Sequence, residues 1–429
     1  MADRTPWYEP GKWLVNPAYW SEEALAQRSA ARKRVRFIDC TLSEGDDCVG
    51  HQLSWTNRLE LMARLHAIGV DEITLPSHTT VEEERDLVAA YRRQGLRTPL
   101  VAKGPGVTVP LGKDWREVID AHVAIGAETI SPIFKWDFEH TLSDFTSGLD
   151  KRQVAAAIGE ATAYAKTRGV RVVPWVVDAM RTNPDTACLF FAAMAQAGAD
   201  GVYVVDSRGN SNPLATRAFV ARVRAAIGDC TMYVQHHNDL GLATANALAA
   251  VEAGADVTDA SVMGIGDRGG CVSLEEAAVV FAAYGYETGI DLKGLYDLGR
   301  FAQDAFGVAL APWKAILGEN WNKEEGAGHL EGDTEEMATV GVAPKIVGRS
   351  FQGVIGSKLL FGRERSSARN SDPVFLRKLV AEWGLGLDEA QFARALHRAR
   401  QAVATSYGRH FITVQEFRQI CEGVAGGSR

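Results

Sequence analysis

Five consecutive polar residues, Gln235-His236-His237-Asn238-Asp239, stand directly after the short β-rich run Thr231–Val234. Imidazole, amide and carboxylate groups are common ligands of metal ions, so this cluster predicts a metal site. Side chains alternate between the two faces of a strand, which puts Gln235 and His237 on one side and His236 on the other. At most two of these three side chains can therefore serve one site directly.

The residues after this cluster continue a strand–helix–strand pattern. An Ala/Leu-rich helix is predicted at 242–253, a second strand at 257–262, and a glycine loop at 264–270 that ends at Cys271. This order is typical of a βαβ unit, whose chemistry lies at the carboxyl ends of its strands. The thiol and the polar cluster are thus expected at the same end of the sheet.

The same rhythm runs through most of the chain. Apolar, β-branched runs alternate with stretches of helical spacing, many of which end in glycine, a common residue after a helix. The runs lie at Val35–Ile38, Glu72–Leu75, Pro99–Ala102, Thr129–Phe134, Val170–Val177, Gly201–Val205, Thr231–Val234 and Val257–Val262. Eight strand–helix units predict an α/β fold of the (β/α)8 TIM-barrel type. A doubly wound sheet is the alternative, but its first βα turn is glycine-rich, whereas residues 40–47 are acidic with a single glycine.

Four segments follow from this rhythm. We predict an N-terminal arm at 1–34, the catalytic TIM barrel at 35–289, a small linker subdomain at 290–365 and a C-terminal helical subdomain at 366–429. The aromatic-rich arm is expected to pack on its own domain or on a second subunit, with a substrate lid as the alternative.

The composition excludes several classes of partner. The 429-residue chain has a formal net charge of −8, which argues against a nucleic-acid or anionic-membrane surface. Its six cysteines lack CxxC spacing and favour free thiols in a reducing compartment. No secretory signal and no apolar run of roughly 20 residues is present. We expect a cytoplasmic protein without nucleic-acid or membrane partners.

In a TIM barrel the reactive groups collect at the carboxyl ends of the strands. The polar residues predicted there are Asp39, the Ser43–Asp47 loop, Thr74, Lys103, Lys135, Asp178, Arg181, Thr182, Asp206, Gln235, His237, Asn238, Ser261, Asp267, Arg268 and Cys271. A carboxylate, an imidazole, an amide and a thiol from strands one, seven and eight suit zinc or a similar divalent metal. A hydrogen-bonded core role for His237 and a small buried apolar role for Cys271 are the alternatives.

Three cationic side chains in this set have more than one interpretation. Lys103 and Lys135 suit a Schiff base or anion binding, although lysines at such positions more often pair with a nearby carboxylate. Arg181 is a natural carboxylate clamp, because its planar fork binds both oxygens.

Several segments resemble the DRE-TIM metallolyases, the superfamily of homocitrate synthase, isopropylmalate synthase and hydroxymethylglutaryl-CoA lyase. Residues 235–276 are similar to the signature that begins HxHND and continues to GIGERxGN, and residues 39–47 are similar to the signature DTTLR(D/E)GEQ. Residues 178–182 resemble the family's DAxRT motif, and residues 328–332 and 344–362 resemble segments of its condensing synthases.

The resemblance implies a metal-assisted condensation of an acyl-CoA, in particular acetyl-CoA, with a 2-oxo acid or related carbonyl, in a homodimer. A divalent cation (Zn, Mn or Mg) would bind at the positions of Glu44 and His237, with Gln235 and Cys271 as further ligand positions. His329 keeps the position of a histidine that assists proton transfer, usually in the partner subunit. The remaining candidates are Ser43, Arg181 and Asp267 as catalytic residues and Thr74, Lys103, Thr182 and Asn238 as substrate-binding residues.

The active centre departs from the family pattern. Ser43 stands where the ketone-polarising arginine belongs, and loss of such a contact typically costs on the order of 3 kcal/mol of transition-state stabilisation. Gln235 replaces the first histidine of HxH, Thr74 replaces a glutamate, Cys271 replaces an asparagine and Asp267 replaces a second glutamate. Three hypotheses stay open: a divergent condensing synthase, a carbon–carbon lyase or other reaction at a remade metal site, and a non-catalytic binding homologue.

Overall fold

The structure is a computed structural model that describes residues 6–28, 34–109, 111–135, 149–325, 341–356, 359–360, 372–405 and 410–427. The chain forms two compact units. One spans Pro17–Ala309, and the other combines Met1–Asn16 with Leu310–Arg429. The finer predicted boundaries at 34, 289 and 365 stay predictions.

The first unit is a closed barrel of eight parallel strands, which confirms the predicted TIM barrel. The strands are β1 (Arg36–Asp39), β2 (Glu72–Thr74), β3 (Leu100–Thr108), β4 (Thr129–Lys135), β5 (Arg171–Val172 and Trp175–Val176), β6 (Gly201–Asp206), β7 (Thr231–His236) and β8 (Val257–Ala260). Each strand pairs with the next along the chain, and β8 closes the barrel on β1. Pro174 lies in the gap between the two parts of β5, because proline has no N–H for the ladder.

Helices connect the strands on the outside. They are α1 (Thr41–Asp47), α2 (Trp55–Ile68), α3 (Val81–Arg93), α4 (Trp115–Val123), α5 (Lys151–Lys166), α6 (Pro184–Gln196), α7 (Pro213–Ile227), α8 (Ala243–Glu252), α9 (Leu274–Ala283) and α10 (Leu295–Phe306). Several begin at a polar cap: Ser54, Thr80 and Asp150 each accept a hydrogen bond from an N–H of the first turn. These bonds satisfy amides that have no partner within the helix. No described helix is long and apolar enough to cross a membrane.

The interior of the barrel changes from apolar to polar along the strands. Its core cluster includes Ile38, Val101, Val173, Trp175, Tyr203, Val205, Tyr233 and Val257. Residues two positions further along a strand face the same side, so Cys40, Lys103, Gln235 and Asp259 follow these apolar residues into the interior. The barrel is therefore filled by hydrocarbon in the middle and by chemically active groups toward its carboxyl end.

A separate polar network lies at the amino end of the strands. Tyr233 donates its hydroxyl to Glu72 at 2.7 Å, and the guanidinium groups of Arg36 and Arg171 lie 3.9 and 3.8 Å from the same carboxylate oxygen. In a TIM barrel the catalytic groups lie at the carboxyl ends of the strands, so polar groups at the amino end serve stability.

The second unit contains a small sheet and a helical region. The sheet comprises β9 (Lys323–Glu324), β10 (Gln352–Gly356) and β11 (Phe411–Thr413), and the helices are α11 (Asp372–Glu382), α12 (Glu389–Thr405) and α13 (Val414–Gly426). Leu376, Phe392 and Phe417 are among the residues of its buried apolar cluster. The predicted C-terminal helical region is thus present.

The N-terminal arm packs on its own chain in two places. In the second unit, the short strands Tyr8–Glu9 and Trp13–Leu14 pair with each other, and Trp13 bridges to Val342. In the barrel unit, the rings of Tyr19 and Trp20 lie 4.4 and 5.9 Å from the ring of Tyr284. Both contacts agree with the packing alternative rather than with a lid.

One buried carboxylate makes the stability of the fold sensitive to pH. Glu84 of α3 is 7% exposed, and its Oε2 has no hydrogen-bond partner in the described part of the chain. Thr79 donates its hydroxyl to Oε1 at 3.3 Å. Burial raises the pKa of Glu84 from 4.5 to about 7, because the neutral acid loses less hydration than the carboxylate.

We expect Glu84→Gln to stabilise the protein at alkaline pH. Since the pKa is higher in the folded state, the contribution of Glu84 is present below about pH 4.5 and is lost as the pH rises through about 7. The variant lacks this loss, so above about pH 8 its free energy of unfolding should exceed that of the wild type by on the order of 2 kcal/mol. Urea unfolding across this pH range measures the difference. Glu82→Gln, at an exposed position of the same turn, is the matched control, and equal stability of wild type and Glu84→Gln at alkaline pH would contradict the prediction.

Candidate active site

The segment after β1 folds into the short helix α1, where the sequence predicted a polar loop. Asp39 holds its start, because both carboxylate oxygens accept hydrogen bonds from Thr41, one from its N–H and one from its hydroxyl, each at 2.9 Å. The Thr41 hydroxyl also accepts the N–H of Val262 at 2.8 Å, which ties α1 to the segment after β8. Glu44, one turn further on, is 2% exposed.

The carboxylate of Glu44 divides its two oxygens between two sets of partners. Oε1 accepts hydrogen bonds from Lys103 Nζ at 2.6 Å and from Gln235 Nε2 at 3.0 Å. Oε2 faces Cys271 Sγ at 3.6 Å and His237 Nε2 at 3.7 Å. Glu44 therefore joins groups from α1, β3, the end of β7 and the glycine loop after β8 in one buried cluster, which we call the Glu44 cluster.

Backbone hydrogen bonds hold His237 and Cys271 beside each other. The two residues form an antiparallel bridge, and the N–H of Asn238 donates to the carbonyl of Gly270 at 2.8 Å. Their side chains lie together, with 3.7 Å between Cys271 Sγ and His237 Nδ1. The glycine loop is needed for this approach: a Cβ at Gly266 would lie 2.9 Å from Cys271 Sγ.

Charge compensation determines the protonation of the Glu44 cluster. Burial by itself would raise the pKa of Glu44, but the positive charges of Lys103 and His237 outweigh it and hold that pKa at about 2. Burial would lower the pKa of Lys103, yet the adjacent carboxylate keeps it above its ordinary value. Desolvation likewise opposes the protonated form of His237, but its contacts with Cys271 and Glu44 raise its pKa to about 9. Glu44 is thus an anion and Lys103 a cation at neutral pH.

Three members of the cluster have the spacing of metal ligands. One donor atom each from Glu44, His237 and Cys271 lies within 4.8 Å of the others, and all three residues are buried. A tetrahedral zinc ion with bonds of about 2.0–2.3 Å has neighbouring donors roughly 3.3–3.8 Å apart, and the distances from Glu44 Oε2 to the other two are 3.6 and 3.7 Å. One oxygen, one nitrogen and one sulfur donor fit a catalytic zinc site, in which three protein ligands leave the fourth position for substrate or water.

The structure brings four of the twelve predicted site residues into direct contact with Glu44 or with its neighbours. Lys103, Gln235, His237 and Cys271 all lie in the Glu44 cluster. For Lys103 the carboxylate-pairing interpretation agrees with the geometry. Gln235 contacts Glu44 through its side-chain nitrogen, so in this arrangement it orients the carboxylate. His236 on the other face of β7 is fully buried, and neither ring nitrogen has a partner among the described residues.

Other predicted residues have different contacts. The Ser43 hydroxyl is buried and donates to the carbonyl of Cys40 at 3.2 Å within α1. Asn238 uses its side-chain oxygen to accept the N–H of Ala243 at 3.1 Å, at the start of α8. Asp267 forms an ion pair with Arg268.

The predicted carboxylate clamp at the end of β5 is occupied from within the chain. Arg181 donates from Nε to Asp178 at 2.7 Å and forms a second, shorter hydrogen bond from Nη2 to the same oxygen. Thr182 is buried, and its hydroxyl has no hydrogen-bond partner in the residues that the structure describes. Thr74 ends β2 and is 3% exposed.

Two predictions lie outside what the structure describes. His329 falls in the range 326–340, and the side chain of Lys135 is likewise outside the described residues.

Sequence reasoning missed two polar groups inside the barrel and one aromatic group. Tyr203 of β6 donates its hydroxyl to the carboxylate of Asp259 in β8, and the Trp175 ring lies 5.7 Å from Lys103 Nζ. Tyr203 and Trp175 look like ordinary apolar members of their strands. The signal that could have found Asp259 is its place in the alternation, since it shares a face with Val257 and Ser261.

Comparison with known proteins shows the family of this chain. A family model described as HMGL-like matches residues 34–302, which cover the barrel. The chain belongs to the HMGL-like family. The relatives include 2-isopropylmalate synthase 2 of Caldanaerobacter subterraneus subsp. tengcongensis, which is 31% identical over 326 residues, covering 76% of this chain and 82% of the relative. Homocitrate synthase AksA of Methanopyrus kandleri is 31% identical over 324 residues, covering 75% of this chain and 79% of the relative.

Solved structures of the HMGL-like type share the barrel. The HMG-CoA lyase from Brucella melitensis aligns with a TM-score of 0.54 and 19% sequence identity, covering 65% of this chain and all of that one. At this level of identity the likeness concerns the fold. The membership of the HMGL-like family confirms the resemblance that the sequence motifs indicated.

The stability of this HMGL-like site should depend on Glu44 and Lys103 as a pair. We expect Lys103→Met to lower the free energy of unfolding by on the order of 3 kcal/mol, because it leaves the buried carboxylate of Glu44 without its nearest counter-charge. In a Glu44→Gln background the same substitution should cost much less, since no anion remains. Urea unfolding of the four proteins in the presence of a chelator measures the coupling. Additive effects of the two substitutions would contradict it.

Proposed function

We propose that this HMGL-like protein is a metal-dependent condensing synthase, which joins the acyl group of an acyl-CoA, in particular acetyl-CoA, to the carbonyl carbon of a 2-oxo acid. The observation that carries the proposal is the spacing of Glu44, His237 and Cys271 as three buried metal ligands at the carboxyl end of the barrel. The named synthases among the relatives support the reaction class.

The donor set favours zinc within the predicted group of Zn, Mn and Mg. Thiolate and imidazole ligands suit zinc, whereas Mg prefers oxygen ligands alone. Glu44, His237 and Cys271 would hold the ion and leave one position open for substrate oxygen. A bound zinc ion supplies Lewis-acid polarisation of the ketone.

The protein's own residues then have distinct tasks. Lys103 places a positive charge beside Glu44 at 2.6 Å and keeps this carboxylate ionised, the state in which it can hold a cation. Gln235 of β7 donates to the same oxygen of Glu44 as Lys103 and holds the carboxylate in place. His329 stays the predicted residue for proton transfer, and the homodimer stays a prediction as well.

The proposed reaction forms one C–C bond and breaks one C–H bond and one thioester bond. A C–H bond at the α-carbon of the acyl-CoA breaks, a C–C bond to the ketone carbon forms, and the ketone oxygen becomes a hydroxyl. Water then cleaves the thioester, so the products are a 2-hydroxy dicarboxylate, a proton and free CoA thiol. The carbon–carbon lyase is the second candidate, favoured by a centre in which the family residues are replaced by other polar or ligating residues, with Gln235 and Cys271 in contact with Glu44.

We expect CoA thiol release from acetyl-CoA in the presence of at least one 2-oxo acid. A thiol-reactive dye measures this release across a panel of 2-oxo acids. Glu44→Ala and His237→Ala should each reduce the rate at least a hundred-fold, about 2.7 kcal/mol of transition-state stabilisation. If no acid in the panel produced thiol, the synthase proposal would be wrong, and cleavage of a 3-hydroxyacyl-CoA between C2 and C3, without release of thiol, would support the lyase.

We also expect the purified protein to bind one zinc ion per chain, and Cys271→Ala to weaken zinc binding at least ten-fold by removing the sulfur ligand. Titration with a fluorescent zinc chelator measures the affinity without reference to activity. Cys188→Ala, which removes a thiol from α6 outside the barrel, is the matched control. Equal zinc affinity of Cys271→Ala and the wild type would exclude Cys271 as a ligand.

A further inference from the structure

Two side chains inside the barrel, Lys103 and Trp175, have hydrogen-bond donors without acceptors among the described residues. The Lys103 ammonium has three N–H donors, and its one hydrogen bond to the described residues is that to Glu44 Oε1. Its side chain is only 14% exposed. A buried ammonium with unused donors is costly unless an anion or a polar ligand completes its contacts.

Trp175 contributes the second donor. Its ring belongs to the interior cluster and its surface is 8% exposed. The indole Nε1–H is a donor only, and it is buried without a partner among the residues that the structure describes. Lys103 Nζ lies over this ring, 5.7 Å from its centre, so β3 and β5 bring the ammonium and the indole to the same part of the barrel.

Two other described cations near the carboxyl ends of the strands, Arg181 and Arg268, are already paired, and Arg208 after β6 is exposed. The Arg181 fork binds Asp178, and Arg268 binds both Asp267 and Asp239. Ser43 offers no charge and donates to a backbone carbonyl. Lys103 differs from these residues because its side chain is mostly buried, contacts Glu44 and still has unused N–H donors.

We propose that the Lys103 ammonium and the Trp175 indole N–H form an anion subsite that binds the carboxylate of the 2-oxo acid. This inference rests on the proposed function for the class of ligand, but it assigns residues that the function itself does not require. The subsite adjoins Glu44, so a carboxylate bound there has its neighbouring ketone beside the ligands His237 and Cys271.

The charge of the ligand provides the test. Isothermal titration calorimetry of the zinc-loaded full-length protein with pyruvate, 2-oxobutyrate, 2-oxoisovalerate and 2-oxoglutarate identifies the acid that binds most tightly. Binding of the neutral methyl ester of that acid is then measured for the same proteins. We expect Lys103→Met to weaken binding of the acid at least ten-fold more than binding of the ester, because any loss through Glu44 affects both ligands whereas the charge-assisted hydrogen bond is lost only with the anion.

Further variants separate positioning from folding. Trp175→Phe keeps an aromatic ring but removes the N–H donor. It should therefore weaken binding of the acid about three-fold or more and leave binding of the ester unchanged. Lys103→Arg keeps the charge and should retain the preference for the acid over the ester. Lys293→Met, which removes an exposed lysine next to α10, is the control and should behave as the wild type.

The outcomes distinguish this subsite from the proposed function. Equal losses for acid and ester in Lys103→Met and Trp175→Phe would overturn the subsite, and so would a wild type that binds none of the four acids. A wild type that binds an acid with the expected variant pattern, yet releases no thiol from acetyl-CoA, would support the subsite and refute the synthase.

Discussion

Burying a carboxylate inside a barrel costs free energy unless positive charge comes with it, and Lys103 supplies that charge to Glu44 at 2.6 Å. The rest of the site depends on this pairing. Because Lys103 and Gln235 engage one carboxylate oxygen, the other is left facing His237 and Cys271. The same ion pair keeps Glu44 ionised, which is the state in which a carboxylate can ligate a cation.

The barrel separates the groups that hold it together from those that do chemistry. Apolar side chains and the Glu72–Tyr233 hydrogen bond occupy the middle and the amino end of the strands. The polar groups of the Glu44 cluster, such as Lys103 and Gln235, lie further along the same strands. Substitutions among the reactive groups therefore leave the apolar filling unchanged, and a reworked centre is compatible with an intact fold.

The sequence predicted the fold well because the fold depends on repeated local patterns. The eight apolar runs correspond to the eight strands, and period-two alternation placed Gln235 and His237 together and His236 apart. The site was predicted in part. The residues that end β7 and follow β8 are adjacent through backbone pairing, which sequence order implies. The Lys103–Glu44 contact crosses from β3 to α1, and its existence depends on side-chain reach across the barrel, which no local pattern encodes. The acidic composition of segment 41–47 predicted a polar loop. The helix α1 forms there because Thr41 donates hydrogen bonds to Asp39 at its start, and composition alone does not predict these bonds.

The bridge between His237 and Cys271 has a consequence for how such a centre evolves. The contacts that set the position of residue 271 are made by main-chain atoms of the glycine loop and of the segment after β7. Main-chain contacts are indifferent to the side chain that the position carries. An exchange between asparagine and cysteine there would change the donor atom beside Glu44 and His237 while the main-chain contacts of the loop stay the same.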